Sequence, residues 1–193
     1  MRIQIVLLPV ALLCAACPAS RQPQPSSPGW IGRFDDGHTR AETGAGWDIS
    51  TDARSGGRSV ARMELASPGA EGSPGALAVN GTVDGGLPYA WAGVSYSPGT
   101  ERYAPADLSR RTELAFWARG DGRTYRVIVL SAAPDGREIR HERRFTATPG
   151  WTAVRVPLAE LRGANLAGVR AINFSAGPEP GAFAFQLDQL QLR

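Results

Sequence analysis

From Trp30 onward, apolar and polar residues alternate in short runs broken by glycine, proline and aspartate. A period of two is that of strands with one buried face. The clearest run puts Leu114, Phe116 and Ala118 on one side and Glu113, Ala115, Trp117 and Arg119 on the other. Gly120-Asp121-Gly122 follows, and Tyr125 to Leu130 resumes as a β-branched run, so this spacing predicts an antiparallel hairpin about a tight turn. Similar runs predict strands over 30–34, 47–49, 60–65, 76–83, 88–97, 139–146, 151–158, 169–175 and 182–192, with one helical turn over 158–162. In the last strand Leu187 and Leu190 share a face only if the chain bulges at Asp188 and Gln189. In the 88–97 run, Tyr89, Trp91, Gly93 and Ser95 face one way and Ala90, Ala92, Val94 and Tyr96 the other. Aromatics on both sides imply one face in the core and the other lining a groove. Roughly nine to eleven strands at a spacing of about a dozen residues predict an all-β, two-sheet jelly-roll sandwich.

The first residues follow a different pattern. Arg2 precedes an apolar stretch over 3–16, too short to span a bilayer as a helix and ending in small residues, the build of an export signal. Leu13-Cys14-Ala15-Ala16-Cys17 resembles a bacterial lipobox, with Cys17 as the lipidation site and Cys14 as the weaker alternative. The expected organisation is a lipoprotein signal peptide over 1–16, a disordered proline- and serine-rich linker over 17–29, and a β-sandwich binding domain over 30–193. Acyl chains on Cys17 would hold the domain on a membrane of the bacterial cell envelope without spanning it. Cleavage before Cys17 leaves no unmodified thiol, so the core alone holds the fold.

A chain of 193 residues suits one core rather than two. Net charge is +3, and all 21 basic residues are arginine. They are scattered among carboxylates, and no basic run tracks a groove, which argues against nucleic acid. Arg119-Gly120-Asp121 spells an adhesion tripeptide, but turn chemistry accounts for it. The two histidines, His38 and His141, belong to no metal-binding motif, and neither a G-x-S-x-G elbow nor a phosphate-cradling loop is present, so no enzyme is expected.

Three stretches carry a family resemblance: Asp107-Leu108-Ser109; Leu114 to Arg123 with Tyr125; and Trp151 to Leu158. Together with Phe34-Asp35-Asp36, Gly56 to Ser59 and Phe185 to Leu190, they resemble the complex I intermediate-associated protein family, which has a galactose-binding-like sandwich, and are similar to family 11 carbohydrate-binding modules. The export signal departs from the mitochondrial assembly-factor pattern and argues against an assembly role in respiratory complex I. The resemblance implies a structural calcium between the first and last strands, at Asp36, Asp35 and Asp188. It also implies a ligand face. Flat rings stack on sugars and guanidinium forks bind their polar groups, so Tyr89, Trp91, Trp117, Arg119, Arg126 and Arg155 are the ligand candidates. The alternative for each is a packed ring or a solvated arginine. The expected function is a non-catalytic, membrane-anchored module binding carbohydrate on a concave sheet face; the alternative is an envelope scaffold or assembly factor binding a protein partner.

Overall fold

The computed structural model describes residues 29–133 and 135–193; the expected signal peptide, Cys17 and the expected linker up to Pro28 lie outside the described residues. Eleven strands form two antiparallel sheets. The five-stranded sheet holds β2 (Gly46–Thr51), β5 (Ala92–Ser97), β10 (Val169–Ala176), β7 (Thr124–Ala132) and β8 (Glu138–Thr146), in that spatial order. The six-stranded sheet runs β3 (Val60–Ala66), β4 (Ala76–Val83), β11 (Gly181–Leu192), β6 (Glu113–Gly120), β9 (Thr152–Pro157), with β1 (Gly29–Gly32) paired on the end of β11.

The inward residues are those the alternation marks. Val94 and Tyr96 of β5, Tyr125, Val127 and Val129 of β7 and Ile172 and Phe174 of β10 meet Leu77 and Val79 of β4, Leu114 and Phe116 of β6 and Phe185 and Leu187 of β11, all fully or nearly fully buried. Phe116 sits edge-on to both Phe145 and Phe174, with ring centroids 5.3 Å apart in each case, and so joins the two sheets at mid-core. The expected bulge in β11 is present. Its pairing with β6 shifts between Asp188 and Gln191, Gln189 has φ +48°, and Leu187 and Leu190 are both fully buried. The helical turn is a short 3-10 segment, Leu158–Glu160.

One expectation is corrected. The Gly120-Asp121-Gly122 turn closes no hairpin, because β6 pairs with β11 and β9 in one sheet while β7 pairs with β10 and β8 in the other. The turn is an arch between layers. The Gly120 amide donates to Thr148 O (2.7 Å) and the Asp121 amide to Ala184 O (3.1 Å), so main chain from elsewhere clasps it. Asp121 is spent on the same arch: its Oδ1 accepts from the Tyr125 hydroxyl (2.8 Å) and its Oδ2 from the Ala184 amide (3.0 Å). Alternation specifies that a strand has a buried face, not which neighbour it pairs with. The hairpin lies one strand later, between β7 and β8.

Candidate functional site

The outer face of the five-stranded sheet is a cleft of about 810 Å³. Register sets its floor in three cross-strand rows. Ser50, Gly93, Ser175, Arg126 and Arg144 form one; Asp48, Ser95, Asn173, Ile128 and Glu142 form the next; Leu130 and Arg140 belong to the third. The residues on β2, β5 and β10 are mostly small, so the floor is lowest there, while β8 raises a charged wall of Glu138, Arg140 and Glu142. Gly93 is required by close packing: a Cβ there would stand 2.1 Å from Phe174 O and 2.7 Å from Ser175 Cα.

The opposite rim is aromatic. Tyr89 and Trp91 precede β5 in an irregular segment rather than in the strand expected over 88–97, yet both border the cleft. Tyr89 is 81% exposed, a flat ring with no covering neighbour. Trp91 is anchored: its Nε1 donates to Ser50 Oγ (3.2 Å), its amide to Asp52 Oδ2 (3.3 Å), and its carbonyl accepts from the Asp52 amide (3.1 Å). Asp52 is fully buried and also takes the amide and hydroxyl of Ser59 (3.0 and 2.7 Å), so one carboxylate ties the Trp91 segment to the β2–β3 connection. Tyr103, with φ +58°, completes this rim; the Arg102 guanidinium lies 5.3 Å over its ring and pairs with Asp48 at 3.0 Å.

On the floor, Arg126 has a side chain 14% exposed. Its Nη2 donates to Ala176 O (3.3 Å), Nη1 lies 3.8 Å from Glu142, and Nε has no partner. Burial lowers its pKa, Glu142 opposes that, and Arg144 and Arg140 add to it. Asn173 is buried with its Oδ1 unpartnered, and the half-buried Arg170 leaves its Nε unpartnered. All three residues line the cleft, with these unpartnered atoms buried beneath its surface.

The six ligand candidates therefore divide. Tyr89, Trp91 and Arg126 line the cleft; Trp117, Arg119 and Arg155 do not. Arg119 stacks on Trp151 (4.6 Å) and donates to Gln186 Oε1 (2.9 Å) and Pro68 O (3.2 Å), and Arg155 pairs with Glu113 (3.2 Å). All three candidates sit on β6 and β9, on the outer side of the other sheet. The reason is the arch at Gly120: reading β6 and β7 as a hairpin put their polar faces on one sheet. The sequence reading missed Arg102, Tyr103, Arg170 and Asn173. An Arg-Tyr pair just after a strand was the one available signal, whereas Asn173 stands in a run that reads as core.

The acidic corner is partly assembled. Ser73 Oγ donates to Asp35 Oδ1 (2.7 Å), and Asp188, fully buried, accepts from the amides of Ala70 (2.7 Å) and Gln189 (2.6 Å). Burial raises the Asp188 pKa; hydrogen bonds from Ala70, Gln189 and Ser73 pull it down, and Asp35 pushes it up. Asp36 turns away, its Oδ1 accepting the His38 amide (3.0 Å) in an Asx turn. Among the described residues no three His, Cys, Asp or Glu side chains cluster. The corner still suits a hard cation: a Cβ on Gly69 would stand 2.5 Å from Asp188 Oδ2, 2.2 Å from Gly75 O and 2.7 Å from Ser73 Oγ, so several oxygens converge where only glycine fits. Phe34, Glu71 and Gln189, three non-glycine residues with φ near +50°, border it.

An antiparallel two-sheet sandwich with a rimmed cleft on one outer face is a jelly-roll architecture. Residues 36–175 match the model of the Complex I intermediate-associated protein 30 (CIA30) family, and the chain belongs to that family. The fold is shared with family 11 carbohydrate-binding modules. The module of the cellulosomal cellulase Lic26A-Cel5E of Clostridium thermocellum superposes with TM-score 0.64 at 16% identity, over 88% of this chain and 95% of that one. A family 11 module from the same organism, solved with a β-1,3-1,4-mixed-linked tetrasaccharide, gives 0.58 at 17%, over 76% and 87%. The family 30 module of the cellulase Cel9D-Cel44B of C. thermocellum gives 0.54 at 18%, over 86% and 92%. No curated protein sequence matches the chain.

Proposed function

We propose that the domain is a non-catalytic module that binds a glycan chain in the cleft of the five-stranded sheet. The observation that carries this reading is the pairing, in one cleft, of an aromatic rim (Tyr89, Trp91, Tyr103) with polar groups on its floor and wall (Asn173, Glu138, Glu142). Exposed rings stack on the apolar side of a sugar, and the floor groups serve its hydroxyls. The tetrasaccharide bound by a structurally similar module supports the same reading. A glycan array probed with the full chain tests it. Binding to at least one polysaccharide class, lost in Trp91→Ala and kept in Trp117→Ala, is the expected result; no binding to any glycan overturns it.

The family is named for a protein associated with complex I intermediates, which favours protein docking as the second reading. A trough with charged and aromatic walls suits a chain of sugars better than a flat protein face. Stable co-purification of a protein partner without sugar affinity would favour the second reading. Cys17 is the proposed lipid anchor, placing the module at the bacterial envelope. Cys17→Ala is expected to move the protein from the membrane fraction to the soluble exported fraction; unchanged membrane association contradicts the anchor. Calcium is the proposed structural ion, held by Asp35, Asp188 and main-chain oxygens of the corner, and it would neutralise the buried Asp188 carboxylate.

A further inference from the structure

The proposed glycan site has an unbalanced charge. Five arginines line the cleft (Arg54, Arg102, Arg126, Arg140 and Arg170) against two carboxylates, Glu138 and Glu142. Two of the five are neutralised locally: Arg102 by Asp48 at 3.0 Å and Arg140 by Glu138 at 3.0 Å. Glu142 lies 3.8 Å from Arg126 but is held more closely by Arg144, at 3.1 Å. Arg54 and Arg170 have no acidic partner among the described residues, and the Arg170 side chain makes no hydrogen bond there either. A half-buried cation without a counter-ion is costly, and here it borders a site open to ligand. Arg54, exposed on the rim of the same cleft, adds a second cation.

Resting on the glycan reading, we infer that the ligand is an acidic polysaccharide whose sugar rings carry carboxylates, seated with its charges over Arg54 and Arg170. The planar fork of a guanidinium matches a carboxylate in two parallel hydrogen bonds. The remaining lining sets the rest of the ligand. The Glu138 and Glu142 carboxylates are acceptors, which call for hydroxyl donors on the same chain. A uronate polymer supplies both, with one charge per ring and free hydroxyls beside it. A densely sulfated polymer would set more negative charge against Glu138 and Glu142. A neutral glucan would leave Arg170 unpaired.

Calorimetric titration of the full chain compares oligogalacturonate, a neutral mixed-linkage gluco-oligosaccharide and dextran sulfate. The expected result is oligogalacturonate bound about tenfold or more tightly than the neutral oligosaccharide, the gain of about one charge-assisted hydrogen bond. That preference should shrink as NaCl is raised from about 50 mM to about 500 mM. Arg170→Gln should weaken oligogalacturonate about tenfold while leaving the neutral ligand unchanged. Arg110→Gln, outside the cleft, should change neither. Arg54→Gln, on the exposed rim, keeps the test available should a floor variant fail to fold, with a smaller loss expected for the acidic ligand alone. Equal, salt-insensitive binding of neutral and acidic oligosaccharides overturns the inference and leaves the glycan reading standing. Tighter binding of dextran sulfate overturns the choice of carboxylate. Binding of none of the three, with no other glycan retained on an array, overturns the glycan reading itself.

Discussion

Single side chains at this site are held by buried groups that the alternation pattern does not reveal. Trp91 owes its place to Asp52, a fully buried acid reached from two other segments. A Cβ on Gly57 would come 2.2 Å from the Asp52 carboxyl carbon, so the glycine gives that acid its room. Tyr125 does the equivalent at the inter-sheet arch. Its ring is fully buried, its hydroxyl donates to Asp121, and burial followed by that hydrogen bond and the Asp121 charge raises its pKa well above 10. The sign follows directly. The unfolded chain releases this proton first, so the native state is stable below about pH 10 and loses stability as pH climbs above it. Tyr125→Phe should flatten that alkaline decline in denaturant midpoint. Tyr96, whose pKa is also raised by burial, should leave a residual slope. An alkaline limb identical in wild type and variant would contradict the role given to Tyr125.

At the scale of elements, the two sheets meet through aromatic rings rather than through pairing, since consecutive strands β6 and β7 lie in different layers. Phe116 touches rings contributed by β8 and β10. Phe116→Ala should therefore cost about 3–5 kcal/mol in chemical denaturation, the range of a large buried ring lost without collapse. A cost under about 1 kcal/mol, as at a surface position, would deny it that place. Most of the element order was legible. The 76–83 strand matches its observed bounds, and the bulge near Asp188 followed from two leucines that both had to be buried. Pairing was not legible: Gly120-Asp121-Gly122 has the chemistry of a hairpin turn and equally that of an arch, and only the long-range partners Thr148 and Ala184 decide between them. That ambiguity carried over to the site. Tyr89, Trp91 and Arg126 come together, while Trp117, Arg119 and Arg155 fall on the far layer.

For the whole molecule, one sandwich supports a cleft on one outer face and an acidic corner where the first loop meets the bulged last strand. The corner joins residues far apart in sequence, since the Asp188 carboxylate holds the Ala70 amide. A cation there would cross-link the two ends of the described domain. Chelation should lower Tm, and calcium at a hundred times Kd should restore it, adding about 2.7 kcal/mol of stability. An unchanged midpoint would remove the ion from the account.

The central claim is that the five-stranded sheet, and not its partner, carries the binding face. Backbone amide shifts of the labelled full chain, followed during titration with the tightest glycan from the array, test it most directly. Perturbations should gather on Ser50, Tyr89, Trp91, Tyr103, Arg126 and Asn173. Shifts gathering instead on Trp117, Arg119, Trp151 and Arg155 would place the ligand on the opposite layer and contradict it.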